Sequence, residues 1–122
     1  MRFEDLLAWQ EARSLIEMVY EMTRENSIEK DYRLVQQLRS ASVSIMSNIA
    51  EGFERHSVKE KIQFYNISRA SCAEVRSLLY IVLDSFPQLD CKVNFCAEKL
   101  NKVGKLITGL LQSTQKRLGD RS

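Results

Sequence analysis

Apolar residues return every three or four positions along four long stretches of this chain, and nowhere do polar and apolar residues alternate as in a half-buried strand. The first stretch, residues 5–24, carries Leu6, Trp9, Ala12, Ile16, Val19 and Tyr20 on one face. Asp5 is placed to cap the free amides of its first turn. The second, residues 32–51, carries Leu34, Leu38, Ala41, Ile45 and Ile49, and the Gly52 that follows suits the left-handed residue closing many helices. The third, residues 58–84, opens on Ser57-Val58-Lys59-Glu60, the spacing of a reciprocal capping box. Its apolar side is wide (Phe64, Tyr65, Ile67, Cys72, Val75, Leu78, Leu79, Val82), and Pro87 prevents it from running on. The fourth, residues 91–118, sets Val93, Cys96, Leu100, Val103, Ile107, Leu110 and Leu111 within an arc of about 100°.

Turn-forming residues gather only at 25–30, 52–57 and 85–90. Helices of this length joined by such short connections pack as antiparallel neighbours. The pattern therefore predicts an all-α protein, an antiparallel up-down-up-down four-helix bundle, with residues 1–122 forming a single domain. Composition agrees. At 122 residues the chain can hide roughly two-thirds of its unfolded surface, enough for one core. Its 44% hydrophobic content is too high for disorder, while four Gly and one Pro are too few for a loop-rich β-sandwich. No apolar run approaches the roughly 18 residues of a membrane span, and the acidic opening residues do not resemble a signal peptide. The expectation is a cytoplasmic protein with no membrane attachment.

The candidate chemistry is sparse. Three cysteines (Cys72, Cys91, Cys96) cannot close a complete disulfide framework, and with a single histidine, His56, they fall short of a four-ligand zinc site. Reduced thiols in a reducing compartment are expected. A di-iron bundle needs Glu-x-x-His pairs, but the residue three before His56 is Phe53. The four glycines are scattered, so no phosphate-cradling loop exists. The expectation is a non-enzymatic protein without cofactor or metal.

Charge changes the picture through its distribution, not its sum of +2. Residues 1–30 carry a net −3, residues 31–61 a net +1, residues 62–90 a net −1 and residues 91–122 a net +5. On the fourth helix, Lys92, Lys99, Lys102, Lys105, Lys116 and Arg117 fall within about 140°, largely opposite the apolar strip. Such a face can meet a row of phosphates; it is equally the ordinary solvated exterior of a helix. Phe95 is its one ring, so stacking on single-stranded bases is not indicated. The second helix has a different peculiarity: Ser40, Ser44 and Ser47 stand where long solvated side chains are usual. Small hydroxyl-bearing residues suit a close helix seam, within the bundle or between subunits. Asn48, Glu51 and Gly52 close that helix in a polar element expected to be structural, with Glu51 in reach of Arg55.

The order of Glu4-Asp5-Leu6 with Trp9 and Ala12, Gln37-Leu38-Arg39-Ser40-Ala41 with Ser44-Ile45, Asn48-Ile49-Ala50-Glu51-Gly52, Arg55-x-Ser57, and Ala70-Ser71 with Glu74 resembles the bacterial four-helix-bundle family encoded in intervening sequences of 23S ribosomal RNA genes. The accessory variability protein of diversity-generating retroelements is a related member. The resemblance spans about residues 3–111, with Ala70-Ser71 standing where many members have Gly-Ser. It implies a cytosolic bundle assembling into a ring-shaped homopentamer; the retroelement relative binds nucleic acid and a reverse transcriptase through basic surfaces. It implies no catalytic residue. The expected function is thus a homo-oligomer binding RNA or DNA non-specifically through the basic surface of the fourth helix. The rival is a protein–protein scaffold or adaptor using the helix-two serines and exposed apolar residues of the first helix.

Overall fold

A computed structural model describes residues 1–121, with side chains through Arg117. Four helices, α1 (Leu7–Thr23), α2 (Tyr32–Glu54), α3 (Val58–Ser85) and α4 (Asp90–Arg121), each pack chiefly against two neighbours, in the cyclic order α1, α2, α3, α4. No strand occurs among the described residues. Gly52, late in α2, meets Tyr65, early in α3, and between α1 and α4 the partner of Lys92 is Glu21 while that of Lys99 is Glu11, so the paired helices run in opposite directions. The protein is an antiparallel four-helix bundle. None of its described helices is long and apolar enough to cross a membrane.

One core cluster runs through all four helices, with Leu15, Val19, Met22, Leu38, Ile45, Ile49, Val75, Val82, Val103 and Ile107 fully buried. Each such side chain contributes about 1.5–3 kcal/mol by leaving water, so the helical stripes read from the sequence are the main source of stability. On α1 the stripe is rotated slightly. Leu15 and Ala8 lie at its centre, while Trp9, Ile16 and Tyr20 are only half-buried. On α3, Ile67 points outward at 41% exposure and Ser68 takes the inward position, donating to Ile45 O at 2.7 Å.

The helix ends depart from expectation at three places. Asp5 does not cap α1; it belongs to a 3-10 turn, Phe3–Asp5, and its carboxylate accepts from the Arg2 amide at 3.0 Å. This turn is held back on the bundle by Phe3 packing edge-on against Trp9 at 5.3 Å and by Gln10 donating to Glu4 O at 2.9 Å. Gly52 does not terminate α2 either. It sits inside the helix with no positive φ, and a Cβ there would lie 2.7 Å from Tyr65 Cε1 and 3.2 Å from Phe64 Cβ. The glycine is required for close approach of α2 and α3, not for a left-handed turn. The helix ends two residues later, where the Arg55 amide donates to Gly52 O at 3.3 Å and Lys61 of α3 donates to Phe53 O at 2.6 Å and to Gly52 O at 3.3 Å, satisfying terminal carbonyls. Third, only half of the capping box forms: Ser57 Oγ accepts from the Glu60 amide at 3.4 Å. Asp31 caps α2 through a bond from the Leu34 amide at 3.2 Å. A 3-10 turn at Pro87–Leu89 separates α3 from α4 as the proline requires.

Two glycines make opposite predictions. Gly52→Ala forces the buried Tyr65 ring to shift and should lower stability by about 1–3 kcal/mol. At Gly104, in mid-helix, an added Cβ meets nothing within 4 Å, so Gly104→Ala should be neutral or stabilising by up to about 1 kcal/mol. Urea denaturation of both variants checks the pair.

Candidate nucleic-acid interface

The cations of α4 divide between two flanks of the helix. Lys99 and Lys102, one turn apart, both turn toward α1 and grip one carboxylate: Lys99 Nζ lies 2.6 Å from Glu11 Oε2 and Lys102 Nζ 3.0 Å from Glu11 Oε1. Further along, Lys92 Nζ lies 3.3 Å from Glu21 Oε1 and 3.5 Å from Glu25 Oε1. The antiparallel register aligns the acidic face of α1 with this flank of α4. Hydrogen bonds from Lys99 and then Lys102 hold the Glu11 carboxyl below its ordinary range, while a hydrogen bond to Glu21 raises Lys92 above the usual lysine value. Lys92 and Lys99 are half-buried in these pairs, whereas Lys102 keeps 55% of its side chain exposed. Three of the six cations expected to form one outward face are therefore engaged with acids of α1. Lys116 and Arg117 are exposed.

Lys105 lies on the other flank, facing α3. There it joins Arg69 and Arg76 around a groove of about 820 Å³ between α3 and α4. Arg69 and Arg76 stand two turns apart on one side of α3, and all three cations are exposed, with no acidic partner within ion-pair distance among the described residues. The groove exists because its floor is small: Ala73 on α3, Ala97 and Gly104 on α4. Asn101 and Thr108 add hydrogen-bonding groups, and Glu98 is the one acid along its lining. No aromatic ring lines it. Cys72 reaches its base, but burial pushes that thiol up to about 11, so it stays protonated and is a poor nucleophile at neutral pH.

The serines of α2 separate in the same way. Ser44 shares a 2.9 Å hydrogen bond with Ser71 of α3, and Asn48 Nδ2 donates to Ser44 O at 2.8 Å and Ser44 Oγ at 3.0 Å. With Ser68 on Ile45 O, these make a polar seam inside the bundle, between α2 and α3. Ser40 and Ser47 lie outside it. Both are exposed, and Ser47 bonds only back to Ser44 O of its own helix at 3.4 Å. Glu51 reaches Arg55 at 3.7 Å, and the Arg55 guanidinium lies over Phe64 at 4.7 Å. Asn48 and Glu51 thus bond locally, to Ser44 and Arg55, while Gly52, expected from the sequence to close the helix, instead admits the α3 side chains.

A profile of the 23S rRNA-intervening sequence protein family matches residues 4–109. The chain belongs to that family. No match is found among curated proteins. In this 23S rRNA-intervening sequence protein, the matched span includes both the α2–α3 seam and the unpaired cations of the α3–α4 groove. Sequence reasoning missed Arg69 and Arg76. Their seven-residue spacing was the available signal, since it places both on one helix face.

Replacing Glu11 by Gln should lower stability at neutral pH by about 1 kcal/mol, with Lys102 contributing less than Lys99 because it is more exposed. The sign follows from the lowered carboxyl. Stability from ionised Glu11 is fully present above its unfolded value of about 4.3 and is lost as pH falls through the lower folded value. The gap between wild type and Glu11→Gln should therefore be constant from pH 6 to 8 and close progressively below about pH 4, read by urea denaturation at each pH.

Proposed function

We propose that this protein is a non-enzymatic, cytoplasmic homo-oligomer that binds RNA or DNA without sequence preference, using the α3–α4 groove and the neighbouring Lys116 and Arg117. The observation that carries this reading is the trio Arg69, Arg76 and Lys105, which surrounds an open groove and lacks acidic partners among the described residues. Guanidinium and ammonium groups spaced along a groove suit successive backbone phosphates, and each contact releases condensed counterions. The absence of rings along that groove favours contact with the backbone over stacking on unpaired bases. With a net charge of only +2, one copy would bind weakly; a ring of copies, a pentamer in the family it resembles, would present the trio repeatedly and raise the effective local charge.

A labelled mixed-sequence 20-base-pair RNA or DNA duplex, followed by fluorescence anisotropy, tests the reading. The three groove cations give a log–log salt slope of roughly −3 for each protomer engaged, and contacts by Lys116 and Arg117 steepen it further. Combined replacement of Arg69, Arg76 and Lys105 by Gln should weaken binding at least ten-fold with helicity unchanged, because all three side chains are exposed. Lys92→Gln should change it less than two-fold. Light scattering should report a mass several times 14.2 kDa. No retention of either duplex at low salt, or a triple variant binding like wild type, overturns the nucleic-acid reading; a monomer at micromolar concentration overturns the assembly.

A further inference from the structure

On the opposite face of the bundle, α1 and α2 enclose a second open groove, of about 480 Å³, lined by Tyr20, Tyr32, Val35, Arg39, Ser40 and Val43. We propose that this groove docks a segment of a partner protein in which one carboxylate is flanked by apolar side chains.

Arg39 is the reason for the carboxylate. Its guanidinium lies over the Tyr20 ring at 4.4 Å, and its Nε donates to Thr23 Oγ1 at 3.0 Å. Thr23 is itself buried and fixed, its hydroxyl donating to Val19 O at 2.8 Å. The arginine is therefore held from two sides before any ligand arrives. Its two terminal nitrogens have no hydrogen-bond or ion-pair partner among the described residues, and no acid lines the groove. A pre-positioned planar fork with vacant donors matches a carboxylate in two-bond geometry and loses little entropy in doing so. Unlike Arg39, the half-buried Lys99 is already neutralised, by Glu11.

The surroundings call for an apolar flank. Tyr32 is 76% exposed and Val43 38% exposed, and with Gln36 and Ser40 they follow one another at helical spacing along the outer face of α2. Ser40, small and central, leaves a depression between the larger side chains; this is the place the structure gives one of the two serines that do not join the internal seam. A single cation among apolar walls is a poor match to nucleic acid, which rewards several cations along a track. Nor does the groove enclose a ligand on most sides, as small-molecule sites do. An amphipathic protein segment satisfies both the lone charge and the exposed apolar surface.

The test is selection from a displayed library of random twelve-residue peptides on the immobilised full chain. The result expected is enrichment of sequences with one Asp or Glu beside Leu, Ile, Phe or Met. Synthetic versions should bind Arg39→Gln at least ten-fold more weakly and Tyr32→Ser at least three-fold more weakly, while the Arg69, Arg76 and Lys105 triple variant binds them as wild type does. Tyr32 lies outside the core, so its variant decides the matter even if Arg39→Gln loses helicity. The proposal is overturned by the absence of an enriched pattern, by a pattern without an acid, or by insensitivity to both variants. It is overturned as well if the duplex displaces the selected peptides, which would make this a nucleic-acid surface, or if Tyr32→Ser lowers the assembly mass, which would assign the groove to a second copy.

Discussion

The pairing of α1 acids with α4 lysines governs what the surface of this bundle can do. Glu11 holds Lys99 and Lys102, and Glu21 with Glu25 holds Lys92, so the negative first helix and the positive last helix neutralise each other where they meet. Individually, such partly exposed pairs contribute no more than about 1 kcal/mol. Their larger effect is on direction. By engaging one flank of α4, they leave the uncommitted cations on its other flank, where Lys105 meets Arg69 and Arg76 across a groove floored by small residues.

A second constraint operates between α2 and α3. Here backbones approach closely enough that Gly52 has no room for a side chain, and the polar groups drawn inside are satisfied locally by Ser44, Asn48, Ser68 and Ser71. No buried side-chain polar atom is left without a partner among the described residues, which matters because an unsatisfied buried group costs about 1–3 kcal/mol. Ser44, Asn48, Gly52, Ser68 and Ser71 are thus occupied in holding two helices together. Their presence explains the architecture and leaves the question of function to the exposed surfaces.

Much of the architecture was legible because it rests on a local repeat. The 3.6-residue period located four helices, and the connections between them dictated antiparallel packing. What escaped depended on contacts distant in the chain. Gly52 directly after a polar segment looks like a terminator; only the Tyr65 ring against it reveals a helix interior. Ile67 and Ser68 exchange the places hydrophobicity alone would give them, because Ser68 can donate to the Ile45 carbonyl. Summing charge by segment concealed Arg69 and Arg76 inside a stretch of net −1, and it credited Lys92 and Lys99 with a freedom that Glu21 and Glu11 remove. The two external serines illustrate the same limit: spacing put Ser40, Ser44 and Ser47 together, yet only Ser44 faces α3.

The central claim is that α4 has an engaged flank and an available one. Mass-spectrometric measurement of lysine acylation rates, in the free protein and with a saturating RNA duplex, tests it most directly. The account predicts slow reaction of Lys99 in both states, and fast reaction of Lys105 that the duplex suppresses. Equal rates for Lys99 and Lys105 in the free protein, or protection that falls on Lys92 and Lys99 and spares Lys105, would contradict it.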